Sequence, residues 1–187
     1  MTFSRACLLA APLCFAGYGI ARLVGRMDGQ YGPGLDWQVA HILELIGLAL
    51  LVPAVLGVRR ELAARSRTFW TVVTLAGAAT AAVQFAVDVV AGLLAADKAE
   101  MNAITARFSE IPGAQAVFYI AGPPLMYVGL LALTILCARA EKLAWWGPVL
   151  LFAGSALPLI TLDLLPIAAL CVLVALAPLA LRNETAG

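Results

Sequence analysis

The chain has 187 residues, of which 63% are hydrophobic and 12% charged, with a mean hydropathy of +0.97, whereas a soluble domain is about 25% charged. Such a composition excludes an ordinary soluble domain and predicts a multi-pass membrane protein. The net charge is +1 and the basic residues gather in short loops rather than in a stripe, which excludes an electrostatic nucleic-acid interface.

Crossing the hydrocarbon core takes about 20 largely apolar residues. Six segments meet or approach that length: 7–24, 37–58, 68–94, 114–137, 143–160 and 164–181. They predict an all-α integral membrane protein, a six-transmembrane-helix bundle forming one multi-pass domain over residues 1–187.

The first segment, MTFSRACLLAAPLCFAGYGIAR, starts like a signal peptide, with Arg5 ahead of an apolar run. It lacks a small-x-small cleavage site and reads as a retained span. Cys7 and Cys14 here, and Cys137 and Cys171 later, lie in apolar stretches without a CxxC pair, so they read as small packed apolar residues. The following loop, GRMDGQYGPGLD, has the glycine and proline content of a compact turn-forming connection.

The second span, WQVAHILELIGLALLVPAV, holds His41, the chain's single histidine, and Glu44. Separations of four and three residues return to nearly the same side of a helix, placing Trp37, His41 and Glu44 on one face. Counted from Trp37, His41 lies about 6 Å and Glu44 about 10 Å below the membrane boundary. In the third span Gln84 and Asp88 are four apart, at a similar depth. These side chains are expected to converge on one polar cluster turned toward the bundle, because an ionised group facing lipid costs several kcal/mol. Low dielectric favours a neutral, proton-donating Glu44 unless His41 becomes its cationic partner.

After the third span, Met101, Ile104, Phe108 and Ile111 recur at helical spacing within DKAEMNAITARFSEIPGA. The pattern predicts an amphipathic interfacial helix on the outer side, serving as a connector or as a lid. The fourth span carries Tyr119, Tyr127 and the pair Pro123-Pro124. Prolines in or near spans, also Pro53, Pro148 and Pro158, kink helices and permit cavities. An unbroken helix through the last two spans would run about 37 residues, about 55 Å, too long for one crossing. LPLITLDLLP therefore reads as a tight turn, with Asp163 as a turn or cap residue or as a further member of the polar cluster.

Charge asymmetry sets the orientation. Arg5, Arg59, Arg60, Arg65, Arg67, Arg139, Lys142 and Arg182 fall on one side, and Arg22, Arg26, Lys98 and Arg107 on the other. Both termini are expected in the cytoplasm of a cell-membrane protein. Trp37, Trp70, Trp145 and Trp146 sit near span ends, as interfacial rings do. A weak internal repeat aligns the hairpin beginning at Gly47 with that beginning at Gly129; low-complexity Ala/Leu/Val sequence produces similar matches.

His41-x-x-Glu44 with Asp88 offers one nitrogen and two oxygen ligands, but one histidine without an HExxH or Cys/His pattern makes a poor metal signal. No metal, haem or other cofactor is expected, and the chain has no P-loop, dinucleotide-binding or nucleophile-elbow motif.

Three readings of function follow. In the first, the protein is an intramembrane enzyme performing acid–base chemistry on a lipophilic small molecule, such as isomerisation or cyclisation of an isoprenoid. Glu44 is then the proton donor, His41 its relay, and Asp88 or Asp163 a second acid. Trp37, Gln84, Tyr119 and Tyr127 would line the substrate pocket, the aromatic rings facing a carbocation. That arrangement is similar in kind to small integral-membrane terpene cyclases, which place carboxylic acids on separated helices, although no motif is shared. In the second, the same groups handle protons in a small transporter or channel component. In the third, the protein is a non-catalytic membrane subunit whose polar groups hold helices together. The partner expected in the first reading is a membrane lipid or lipophilic molecule, and a homo-oligomer fits any of the three.

Overall fold

Helix limits in the computed structural model follow the apolar runs closely; it describes residues 2–27, 29 and 31–182. Five helical stretches are long and apolar enough to cross a membrane: Phe3–Gly25, Leu35–Glu61, Arg67–Leu94, Gln115–Arg139 and Leu162–Leu181. We label the helices α1 (Phe3–Gly25), α2 (Leu35–Glu61), α3 (Arg67–Leu94), α4 (Lys98–Ser109), α5 (Gly122–Arg139), α6 (Trp146–Ile160) and α7 (Leu165–Leu181). No strand occurs among the described residues.

The segment expected as a fifth span over 143–160 is shorter than its apolar run. It forms α6, of 15 residues, about 22 Å against a core of about 30 Å. Leu143 is buried, but in the turn before the helix. That turn is left-handed at Glu141, with φ 56°. Glu141 N–H donates to Ala138 O and Lys142 N–H to Cys137 O, closing α5 as a Schellman motif does. Glycine is the usual occupant of this position, since a Cβ there costs about 1–2 kcal/mol. Glu141→Gly is accordingly expected to raise stability by about 1 kcal/mol, read as a higher unfolding midpoint in detergent with unchanged helix content by circular dichroism.

The fourth long stretch opens as a π-helical segment, Gln115–Ala121, before α5. Pro123 and Pro124 supply no N–H to carbonyls one turn back, and their rings crowd those carbonyls; the wider turn relieves both. At the α6–α7 junction it is Thr161 rather than Asp163 that caps, its hydroxyl accepting from Asp163 N–H at 3.3 Å. The amphipathic segment forms α4, whose first turn is capped by Asp97, with Glu100 reaching past the N-cap to the residue before it. Asp97 accepts from Glu100 N–H at 2.9 Å, and Glu100 accepts from Ala96 N–H at 2.8 Å. Of the expected apolar face only Met101 is buried; Ile104 and Phe108 are half-buried and Ile111 is exposed.

Contacts run α1–α2–α3–α5–α6–α7 and back to α1, a closed ring. Its interior holds Leu8, Leu51, Val55, Leu133, Leu151 and Leu176. α6 packs mainly on α7 and only lightly on α5. Glycines set the closest approaches. A Cβ at Gly77 of α3 would lie 2.8 Å from Gly122 O and Met126 Cα, both backbone atoms of α5. At Gly19 of α1 it would lie 2.8 Å from Pro166 N of α7. The two hairpins of the weak repeat pack differently: α2 lies along α3, whereas α5 and α6 touch sparingly.

One end of the ring gathers Arg5, Glu61, Lys142 and Arg182. Arg5 pairs with Glu61 at 3.4 Å and donates to Arg182 O at 2.8 Å, and Arg182 donates to Lys142 O at 3.4 Å. The opposite end carries His41.

Candidate functional site

Trp37, in the first turn of α2, ties that helix to the end of α3. Its indole Nε1–H donates to Asp88 O at 2.9 Å, and Gln38 Nε2 donates to Val89 O at 3.2 Å. Gly92 permits this: a Cβ there would meet the Trp37 and Gln38 side chains. With Trp37 fixed, its carbonyl accepts from His41 Nδ1–H at 2.7 Å. This hydrogen bond places the neutral imidazole's proton on Nδ1 and leaves the Nε2 lone pair facing Asp88 Oδ2 at 3.9 Å.

That gap is too long for a hydrogen bond. One added proton would link the pair, as imidazolium to carboxylate or as carboxylic acid to imidazole. Aromatic rings enclose the histidine, which is 3% exposed. Trp37 stacks on it at 4.0 Å between centroids, Tyr18 and Phe85 lie at 5.6 Å and Tyr31 at 6.5 Å.

Tyr31 belongs to the loop before α2, and its buried hydroxyl has no hydrogen-bond partner among the described residues. Burial pushes its pKa up to about 12, with Arg22 opposing and Asp36 and Asp88 adding to the rise. A raised pKa means that the neutral phenol stabilises the fold fully below the ordinary value near 10. That contribution is lost as pH climbs from about 10 toward 12. Absorbance at 295 nm should show one phenolate fewer for Tyr31→Phe only near pH 12; a difference near pH 10 would place Tyr31 in water.

Glu44 lies elsewhere. It is one turn deeper and about 60° round the helix from His41, where α2 faces the ring interior instead of α3. The carboxyl is 7% exposed, and its buried Oε2 has no hydrogen-bond partner among the described residues. It borders a cavity shared with Phe15 and Tyr18 of α1, Tyr127 of α5, Ser155 and Pro158 of α6, and Ala168 and Ala169 of α7. The space is about 20 Å³, enough for one water molecule.

Asp163 forms a third, separate site at the ring's rim. It accepts from Arg26 at 2.6 Å and from Arg22 at 3.3 Å, clamping the α6–α7 turn to the end of α1. The cluster expected from depth becomes a His41–Asp88 pair and a Glu44 cavity that share Tyr18 as a wall, with Asp163 clamped apart at the rim. Of the residues expected around a substrate, Tyr127 borders the Glu44 cavity and Trp37 stacks on His41. Half-buried Gln84 makes no side-chain hydrogen bond to a described residue, and Tyr119 lies against Phe108 of α4. Tyr18, Tyr31, Phe85 and Phe15 were not anticipated. Nor was the clamp, although Arg22 and Arg26 stand four apart at the end of α1.

No group of three His, Cys, Asp or Glu side chains able to hold a metal occurs among the described residues. No protein-family model, curated protein or solved structure matches the chain.

Proposed function

We propose that the protein is a multi-pass protein of the cell membrane that performs acid–base chemistry on a lipophilic small molecule at Glu44. The observation that carries this reading is the unpaired Glu44 Oε2 at an internal cavity walled by apolar and aromatic side chains. A carboxyl whose oxygen lacks a protein partner is available to a guest, and the walls suit an apolar one. The cavity accommodates a water-sized occupant, so a larger molecule enters by displacing α6, the short helix held lightly to α5.

The gathering of Arg5, Lys142 and Arg182 at one end supports six crossings with both termini in the cytoplasm. Glu44 then lies in the outer half, and α4 on the outer surface. A tag-accessibility experiment that placed Arg59–Arg67 outside would reverse this orientation.

Native mass spectrometry of the purified protein tests the ligand. A discrete lipophilic adduct in the wild type, lost or altered in Glu44→Gln, is the expected result; bulk lipid alone, unchanged by the substitution, would remove the proposal. A second reading, a non-catalytic subunit responding to protonation, is favoured by the His41–Asp88 gap, which one proton would close outside the cavity. A through-membrane proton route has less support. Beyond Glu44 the ring interior is apolar, and the buried Thr74 and Thr134 hydroxyls donate to their own helix carbonyls.

A further inference from the structure

We propose that the groove between the α5–α6 turn and the end of α7 binds the headgroup of an anionic glycerophospholipid. It lies at the end opposite Glu44 and does not depend on the reading of that site. The groove measures about 710 Å³ and is bordered by Glu141, Lys142, Trp145, Trp146, Pro178 and Arg182.

Lys142 is half-buried, yet its ammonium makes no hydrogen bond to a described residue. Arg182 is held at the groove by its bond to Lys142 O, and its own carbonyl is anchored by Arg5. Lys142 and Arg182 therefore line the space, with Arg139 in the preceding turn, against Glu141 as the one lining carboxylate among the described residues; Glu61 at the same end is paired with Arg5. The groove opens at the N-terminal end of α6, whose peptide dipoles favour an anion. Trp145 and Trp146 are 56% and 48% exposed, and adjacent exposed indoles belong at the headgroup level of a bilayer. Exposed Val149 and Phe152 continue from them along α6, an apolar track for the acyl chains below a basic headgroup site. A phosphodiester with an uncharged headgroup fits this balance; a choline would bring its own cation against Lys142 and Arg182.

The test uses the full chain in mixed micelles offering equal phosphatidylglycerol and phosphatidylcholine, with bound lipid counted by native mass spectrometry. The wild type is expected to retain phosphatidylglycerol preferentially. Lys142→Gln should lower that preference about fivefold, the effect of one cation at a membrane surface, and Glu141→Gln should raise it. Because Lys142 contributes its backbone carbonyl to the Arg182 contact, Lys142→Gln leaves the fold's hydrogen bonds in place. Equal retention of both lipids by the wild type overturns the proposal, as does a preference untouched by both substitutions. Displacement of the lipid by millimolar inorganic phosphate would reassign the groove to a free anion and also overturn it.

Discussion

Glu44→Leu should yield a protein that is more stable than the wild type and no longer retains the lipophilic ligand. A buried carboxyl oxygen without a partner costs about 1–3 kcal/mol, and Leu removes that cost while keeping apolar contact with Phe15, Tyr18 and Tyr127 around the cavity. The expected gain is about 1–2 kcal/mol, seen as a higher midpoint of denaturant unfolding in detergent. Glu44→Gln retains a polar group in the same place and should be near neutral in stability, with the ligand adduct lost in both variants. Stability recovered by deleting a polar group is a mark of a functional site. Should Glu44→Leu destabilise the fold by more than about 1 kcal/mol, the carboxyl would instead be holding helices together, and the non-catalytic reading would take precedence.

The second large effect lies at the α3–α5 crossing. Gly77→Leu is expected to separate α3 from α5, because its Cβ would sit 2.8 Å from backbone atoms that no rotamer change can move. Overpacking a well-filled site costs about 1–3 kcal/mol, and contact against backbone puts this case at the upper end, about 3 kcal/mol or more. Small residues let helix backbones approach where lipid supplies no hydrophobic drive for association. Loss of the monodisperse peak in size-exclusion chromatography would register it. Ala79→Leu, two residues away on an exposed part of α3, should be nearly silent. A well-behaved Gly77→Leu protein would mean that α3 and α5 can separate at this crossing without loss of the fold.

The outlines of the helices were legible because the membrane imposes length and apolarity on each one, and both can be read from a single chain. The shared face of Trp37 and His41 and the depth of Asp88 were readable because i,i+4 spacing and rise per residue are local properties; the stacking of the two rings was not anticipated. Three further features were not readable. Glu44 and His41 are neighbours in sequence, but a 60° rotation sends one toward the ring interior and the other toward α3, and only the arrangement of α1, α5, α6 and α7 decides what fills that interior. Asp163 reads as a turn residue from its prolines, whereas its partners Arg22 and Arg26 are 141 and 137 residues away. That the fifth span is short was readable from its 18-residue run, but its later start at Trp146 was not, because Leu143 continues the apolar run into a turn whose left-handed residue is a glutamate rather than a glycine.

The 15-residue length of α6 also has a mechanical meaning. Its neighbours in the ring belong to stretches of 25 and 20 residues, whereas α6 is about 8 Å shorter than a hydrocarbon core of about 30 Å. The acyl chains beside α6 must shorten or disorder to meet it, and the strain of that mismatch falls on the helix bordering the Glu44 cavity. On the proposed reading, in which α6 crosses the bilayer and the cavity takes a guest, occupancy is expected to depend on membrane thickness: short-chain lipids leave α6 at rest, and long-chain lipids strain its light contact with α5.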